Sequence, residues 1–385
     1  MKKKPRALID AFHLFQALTG IRTYTTQLLK GIEALDSEEI EYKIYPNWRW
    51  VNETQFLRGK VNVFKKVLNH VIYFCWKQVC IPLLILFKRI DVVITTDYLL
   101  PFFKFNAKSV TVVHDTFYWE LKGKYNPLWR QYFITSIRLG LDSRTHIITT
   151  TEYITEKVKK HVTNRHELSV VYQAPNDLIR VENNSLDYQK IGLPMGAKYF
   201  LHVGIFEERK NLKLLIRSFA KLLENEFYED FYLVLAGARG VGIFHDDFQN
   251  LVRLSKELCI VERVIMPGFV HSDDLDSLYR SSFAYVFPSK EEGFGIPIVE
   301  AMKTGTPLIV SNQPALVEVA KGAALVFELE NEASLHDRMI ELSDVETRSE
   351  LIRNGHLRAQ DFTREKFTDQ FSEVIFKVVE KSISG

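Results

Sequence analysis

The chain has 385 residues, 46% hydrophobic and 25% charged, which suits two domains of ordinary size and excludes a disordered or fibrous protein. Its three cysteines, Cys75, Cys80 and Cys259, are odd in number and lack metal-ligand spacing, which excludes a disulfide scaffold and a structural zinc site and points to a reducing compartment. The net charge of +2 joins two unlike halves: 27 Lys/Arg against 16 Asp/Glu up to residue 180, net +11, then 23 against 32, net −9.

A basic first half suits anionic lipid or a phosphorylated acceptor, although dispersed, solvated lysines account for the same bias. The start, MKKKPRALID, reaches Asp10 before any apolar stretch builds up, so it reads as a short tail and a first strand over Ala7–Asp10, not a secretory signal. Thr19-Gly20-Ile21-Arg22-Thr23-Tyr24 then forms a turn into a helix that runs to about Ala34, a strand–glycine–helix pattern open to a phosphate. Arg22 reads as an exposed arginine at the helix start, with anion binding as its alternative.

Residues 61–90, VNVFKKVLNHVIYFCWKQVCIPLLILFKRI, are the most apolar part of the chain. The uninterrupted run Val79–Phe87 is far shorter than the roughly 20 residues of a membrane span, and Lys77 and Pro82 break the longer version. The expectation is a core helix packed on the first sheet. The competing reading is an interfacial segment, because Lys65, Lys66, Lys77, Lys88 and Arg89 flank the apolar residues.

Ile90–Thr95 and Val110–Val113 read as buried strands. The second ends in His114-Asp115, at the end of a strand where open α/β sheets place ligands. Tyr118 and Trp119 follow in a loop able to stack on a sugar. Leu128–Gly140 is expected as a helix, Thr145–Thr150 as a strand, Thr151–Lys160 as a helix, and Val170–Tyr172 as the strand that closes the first domain. Gln173–Asp177 is a turn cluster, Glu182–Asp187 a polar linker, and the boundary is placed near residue 180.

The second domain opens with a strand at Tyr199–Val203, followed by Gly204-Ile205-Phe206-Glu207-Glu208-Arg209-Lys210-Asn211 and a helix with Asn211 as N-cap. Two cations before a helix start oppose the helix dipole, so a bound diphosphate is the better reason for Arg209 and Lys210. Further strands are expected at Phe231–Ala236, Val264–Gly268 and Phe283–Phe287. Acid pairs are poor metal candidates: His245-Asp246-Asp247 and Asp273-Asp274 look like helix starts, the latter capped by Ser272.

Phe287–Val310 reads FPSKEEGFGIPIVEAMKTGTPLIV: strand end, glycine-spaced loop, a helix over Pro297–Thr304 closed by Gly305, and a strand at Leu308–Val310. The helix N-terminus is an anion site bracketed by two carboxylates, Glu292 and Glu300. Neither belongs against a phosphate; both suit hydroxyl groups on the flanks of a bound diphosphate, as in a nucleotide-sugar. An ordinary surface loop and helix is the competing account of the same pattern.

EGFG-I-P-I-V-E-A-M followed by G-T-P-L-I, with Gly268-Phe269-Val270 and Leu275–Tyr279 upstream, resembles the E-x7-E region of the family 4 glycosyltransferases. These are retaining enzymes of GT-B architecture, α/β proteins with two Rossmann-like domains facing across an interdomain cleft. The resemblance implies an acceptor-binding domain at 1–180, a donor-binding domain at 181–363, and a C-terminal helix at 364–385 that returns to the first domain. It implies that Arg209 and Lys210, like the family's G-x-x-x-x-R-K-N, neutralise the departing diphosphate, and that Glu292 holds the donor sugar and Glu300 the ribose. It assigns His114, from V-H-D, and Gly20, from the glycine loop, to the sugar. Gly293, Phe294, Gly295 and Ile296 line the phosphate approach, Gly204 the other loop, and Gly268 the nucleobase. Arg22 departs from the family, which has a second glycine there.

The implied reaction moves a hexose or deoxyhexose from a GDP- or UDP-linked donor to a glycan or lipid-linked saccharide of the bacterial surface. It calls for no cofactor and no metal. The implied partners are the donor, the acceptor and an anionic membrane, not nucleic acid, and the implied location is the cytoplasm or the inner face of the cell membrane. A non-catalytic nucleotide-sugar-binding protein and another GT-B enzyme, such as a sugar-nucleotide epimerase, are the alternatives.

Overall fold

The computed structural model describes residues 4–17, 20–35, 37–54, 63–121, 123, 125–162, 166–178, 186–240 and 246–383. The chain divides into two units, Met1–Ala174 with Thr363–Gly385, and Pro175–Phe362. The division falls just before the boundary read from the turn cluster. Much of the expected polar linker, and Thr19 and His245, lie outside the described residues.

In the first unit a six-stranded parallel sheet has the order β2-β1-β3-β4-β5-β6, with β1 Arg6–Asp10, β2 Glu41–Tyr45, β3 Val92–Thr95, β4 Lys108–Val113, β5 Thr145–Thr149 and β6 Glu167–Val170. β3 and β5 are buried at every residue, because helices cover both faces of the sheet. β2, EYKIY, is half-buried throughout, as an edge strand carrying charges should be. The strand expected at Val170–Tyr172 forms earlier, at Glu167–Val170. The C-terminal helix, Arg364–Ile383, sets Phe367, Phe371, Ile375 and Val379 into the same core as Tyr24, Leu28 and Val112. Each such side chain contributes about 1.5–3 kcal/mol by leaving water.

Residues 63–88 correct the expectation of a core helix. Val63–Cys75, a π-helical turn at Trp76–Cys80, and Ile81–Lys88 follow one another, and only one side is buried. Arg22 is also corrected. It is half-buried, and its guanidinium donates to the Leu14 carbonyl at 3.3 Å and to the backbone carbonyl of Asn52 at 3.1 Å, so it braces the helix start from below.

In the second unit the order is β12-β11-β10-β7-β8-β9, again all parallel, with β7 Tyr199–Val203, β8 Tyr232–Ala236, β9 Val264–Gly268, β10 Ala284–Phe287, β11 Leu308–Ser311 and β12 Leu325–Phe327. The strand order reverses between β7 and β10. At such a reversal the two following loops turn to opposite faces and leave a crevice at the carboxyl ends of the strands.

Candidate active site

The sequence brings two loops to that crevice. The loop after β7 runs from Gly204 through a 3-10 turn at Glu208–Lys210, and the loop after β10 runs from Pro288 to Gly295. They are stitched together: the Lys290 amide donates to the Arg209 carbonyl at 2.8 Å, and Ser289 Oγ lies 3.2 Å from the same carbonyl. Ser311, at the end of β11, donates to the Ser289 carbonyl at 2.6 Å.

Asn211 stands at the N-cap position of the Leu212–Leu222 helix, but its φ is +57° and its side chain caps nothing. This corrects the expected cap. The left-handed backbone, which asparagine tolerates, ends the 3-10 turn and aims Arg209 and Lys210 toward the β10 loop. Ser272 is likewise inside its helix, Ser272–Arg280, with His271 as the flanking residue.

Glu292 gathers the site. Its Oε1 accepts from Arg209 Nη1 at 2.7 Å, Lys210 Nζ at 2.6 Å and the Ser289 hydroxyl at 2.6 Å. Arg209 Nε also meets Glu207 at 2.7 Å. Burial pushes the Glu292 carboxyl up, but Arg209, Lys210 and the hydrogen bonds outweigh it and hold the pKa down at about 2. Lys210 is buried and its Nζ lies 4.6 Å from the centre of the Phe287 ring. Burial, then the neighbouring Arg209, bring its pKa down to about 8, against the opposing pull of Glu292. Two cations share one carboxylate oxygen, and the ammonium is the one that yields.

The Ile296–Thr304 helix starts one residue before the expected position, with Pro297 in its first turn. Gly295 precedes it at φ +96°, and a Cβ there would come within 3.0 Å of Leu316 and 3.1 Å of Ile298. Only glycine takes this corner without strain. Gly293 and Phe294 lie between Glu292 and this corner, with Phe294 buried against Phe362. Glu300 is buried inside the helix, where it accepts from Asn176 Nδ2 and the Tyr279 hydroxyl, both at 3.1 Å, and burial raises its pKa. Gly204 faces His202 and Lys210, since a Cβ there would lie 3.1 Å from His202 Nε2 and 3.7 Å from Lys210 Cε. Gly268 ends β9 at φ +82°.

His202 was not singled out by sequence reasoning. It lies in β7 with no solvent exposure, its Nδ1 is 3.0 Å from the Val286 carbonyl, and burial, reinforced by Lys210, lowers its pKa to about 3. The ring is therefore neutral, its Nδ1–H is spent on that carbonyl, and its Nε2 is buried without a protein partner. A histidine in the apolar run YFLHV was the available signal, but a satisfied core histidine gives the same signal.

Within the first unit, His114 follows β4 and is buried, with Nε2 2.8 Å from the Thr96 carbonyl. Burial lowers its pKa to about 4, so it is a neutral hydrogen-bonding group. Tyr24, from the Gly20–Ala34 helix, packs edge-on against it with ring centres 4.7 Å apart. Gly20 is the exposed first residue of that helix.

Comparison with known proteins follows the same division. A family model described as "Glycosyl transferases group 1" matches residues 184–358. The O-antigen chain mannosyltransferase B of Escherichia coli is 28% identical over 387 residues, covering 92% of this chain and 94% of that protein. The O-antigen chain mannosyltransferase RfbU of Salmonella typhimurium is 26% identical, covering 68% and 67%. Among solved structures, a sucrose-phosphate synthase from Thermosynechococcus elongatus superposes with a TM-score of 0.74 at 17% identity, covering 98% of this chain and all of that one. WaaG, a glycosyltransferase involved in lipopolysaccharide biosynthesis, superposes at 0.67 and 14%, covering 96% and 99%. These last two likenesses carry the fold alone.

Proposed function

We propose that the chain, whose residues 184–358 match the glycosyl transferases group 1 model, moves a mannose from a nucleoside-diphosphate mannose to a hydroxyl of a glycan or lipid-linked saccharide in bacterial surface polysaccharide synthesis. The convergence of Arg209 and Lys210 beside the N-terminus of the Ile296–Thr304 helix, at the point where the strand order reverses, carries this reading. A diphosphate is the ligand that matches two cations and a row of helix N–H groups.

In the reaction, the bond from the sugar's anomeric carbon to the phosphate oxygen breaks, and a bond to the acceptor oxygen forms on the same face. The acceptor's proton passes to the released phosphate oxygen, so configuration is retained without a protein nucleophile. Arg209, Lys210 and the helix N-terminus stabilise the charge that grows on the diphosphate. Glu292, released from the two cations as the diphosphate takes them, turns to the hydroxyls of the sugar. Glu300 serves the ribose. No metal is called on, because the two side chains supply the positive charge.

Calorimetric titration of the full chain with GDP, UDP, GDP-mannose and UDP-glucose, beside Lys210→Ala, tests the reading. One nucleotide should bind selectively and the variant should weaken it. Folded protein that binds none of them at millimolar concentration would sink the donor site.

A further inference from the structure

The helical stretch 63–88 has its polarity reversed. Its inner stripe, repeating every fourth residue, is Asn69, Tyr73, Lys77, Ile81 and Ile85; its outer stripe, offset by two, is Val67, Val71, Cys75, Val79, Leu83 and Phe87. A helix on a water-facing surface puts its apolar stripe inward. Here the inner stripe carries an asparagine, a tyrosine and a lysine, and the outer stripe carries none but apolar and thiol groups. Among the latter, exposure runs from 45% at Leu83 to 74% at Phe87.

The outer stripe has neighbours of the same kind. The His70 and Trp129 rings lie 4.1 Å apart, which seats the Pro127–Gly140 helix beside it, with Leu128 83% exposed. The loop at 101–106 is tied to the stretch by the Phe102 amide, which donates to Gln78 Oε1 at 2.9 Å, and exposes Phe103. An apolar face built from two helices and a loop is far more than scattered surface residues. Residues 61–90, 98–114 and 121–141 contain no Asp or Glu, and Lys88, Arg89 and Arg138 are exposed among them.

We infer that this face is a docking surface for an anionic lipid bilayer, into which the outer stripe inserts while the cations meet the headgroups. Charge decides among the occupants. A second copy docked face to face would set Lys88, Arg89 and Arg138 against their own kind; the exposed carboxylate next to them in sequence, Asp91, already accepts from the Arg6 amide at 2.8 Å. A membrane span is opposed by Lys77, whose ammonium is bound 2.5 Å from Asp10 and 2.7 Å from Asp97 at the sheet and holds the stretch against the protein. An anionic surface satisfies both the apolar area and the charge. The inference deepens the proposed action on lipid-linked acceptors and rests on that reading for its purpose, while its test needs no donor.

The experiment is flotation of the full chain with phosphatidylglycerol vesicles and, separately, phosphatidylcholine vesicles, without nucleotide. The wild type should float with the first and not the second. Leu83→Asp with Phe87→Asp should weaken binding by about tenfold or more with the circular dichroism spectrum unchanged. Leu357→Asp, an exposed leucine of the second unit, serves as the control and should bind as wild type. Four results overturn the inference: wild type left in the lower fraction with anionic vesicles, a double variant that floats normally, a control as weak as the double variant, or a dimer that the double variant turns into a monomer. Should the double variant misfold, Lys88→Glu with Arg89→Glu replaces it, and binding unchanged by that variant also overturns it.

Discussion

Each unit buries a cluster of charges near the carboxyl ends of its strands, and the two are balanced differently: two cations with two carboxylates in the second unit, where Glu207 also pairs with Arg209, and one cation with two carboxylates in the first. In the second unit two cations, Arg209 and Lys210, meet one carboxylate oxygen of Glu292. In the first, one cation, Lys77, lies between two carboxylates, Asp10 and Asp97. Side-chain exposure is 2%, 0% and 7% for Lys77, Asp10 and Asp97, against 21%, 9% and 11% for Arg209, Lys210 and Glu292. The Trp76 indole and the Phe12 amide close on Asp10 at 2.9 Å, and the Tyr73 hydroxyl closes on Asp97. A sealed cluster with saturated partners is structural. A cluster that water reaches, whose cations share a partner, can exchange that partner for a ligand.

The comparison breaks most visibly at Lys77. Lys77→Ala should cost about 3–5 kcal/mol, since it leaves two carboxylates buried without their cation. Urea unfolding followed in the first unit reads this, and a change within error would show that the cluster is not sealed. Lys210→Ala should cost less stability, because Arg209 still pairs with Glu292, and should lower the transfer rate by about 100- to 1000-fold, the usual loss when one preorganised charge is removed from a transition state.

Titration sharpens the contrast. Lys210 is protonated in the folded protein below about pH 8, so diphosphate affinity should fall as pH rises through that value, and Lys210→Arg should remove the fall. Glu292, held at about 2 against an ordinary 4.5, contributes stability that is complete above 4.5 and lost as pH drops toward 2. Melting in the range between those values should show it, and Glu292→Gln should flatten that part of the profile. The smallest effect expected is none: EDTA in the transfer assay should leave turnover unchanged, and a drop would give a metal the charge now assigned to Arg209 and Lys210.

Much of the second unit was legible because its strands are buried on both faces and its turns depend on particular residues. Ala284–Phe287 and Leu308–Ser311 are apolar runs, and Gly295 and Gly305 mark the ends of the helix between them. β2 and β12 were missed: EYKIY is an edge strand with charges in it, and LVF is three residues long. Sequence placed Asn211 at a helix start but could not tell a capping side chain from a left-handed backbone. Nor could it show that Arg22 folds back under its own helix. At residues 61–90 periodicity was present, but which stripe faced inward depended on Lys77 finding Asp10 and Asp97, residues 67 and 20 positions away.

The π-helical turn at Trp76–Cys80 gives those two stripes their meaning. Four residues of an ordinary helix overshoot a full circle by about 40°, so a repeat of four wanders by about 160° over the sixteen residues from Asn69 to Ile85. One residue accommodated in a π bulge takes back about 100° of that drift. The turn thus acts as a phase correction that keeps Ile81 and Ile85 under the same roof as Asn69 and Tyr73. Forcing the turn into ordinary helix with its residue count kept would rotate everything downstream by more than a quarter of a circle and drive Leu83 and Phe87 off the face they now share with Val67 and Val71, whereas deleting one residue within it would leave that phase unchanged.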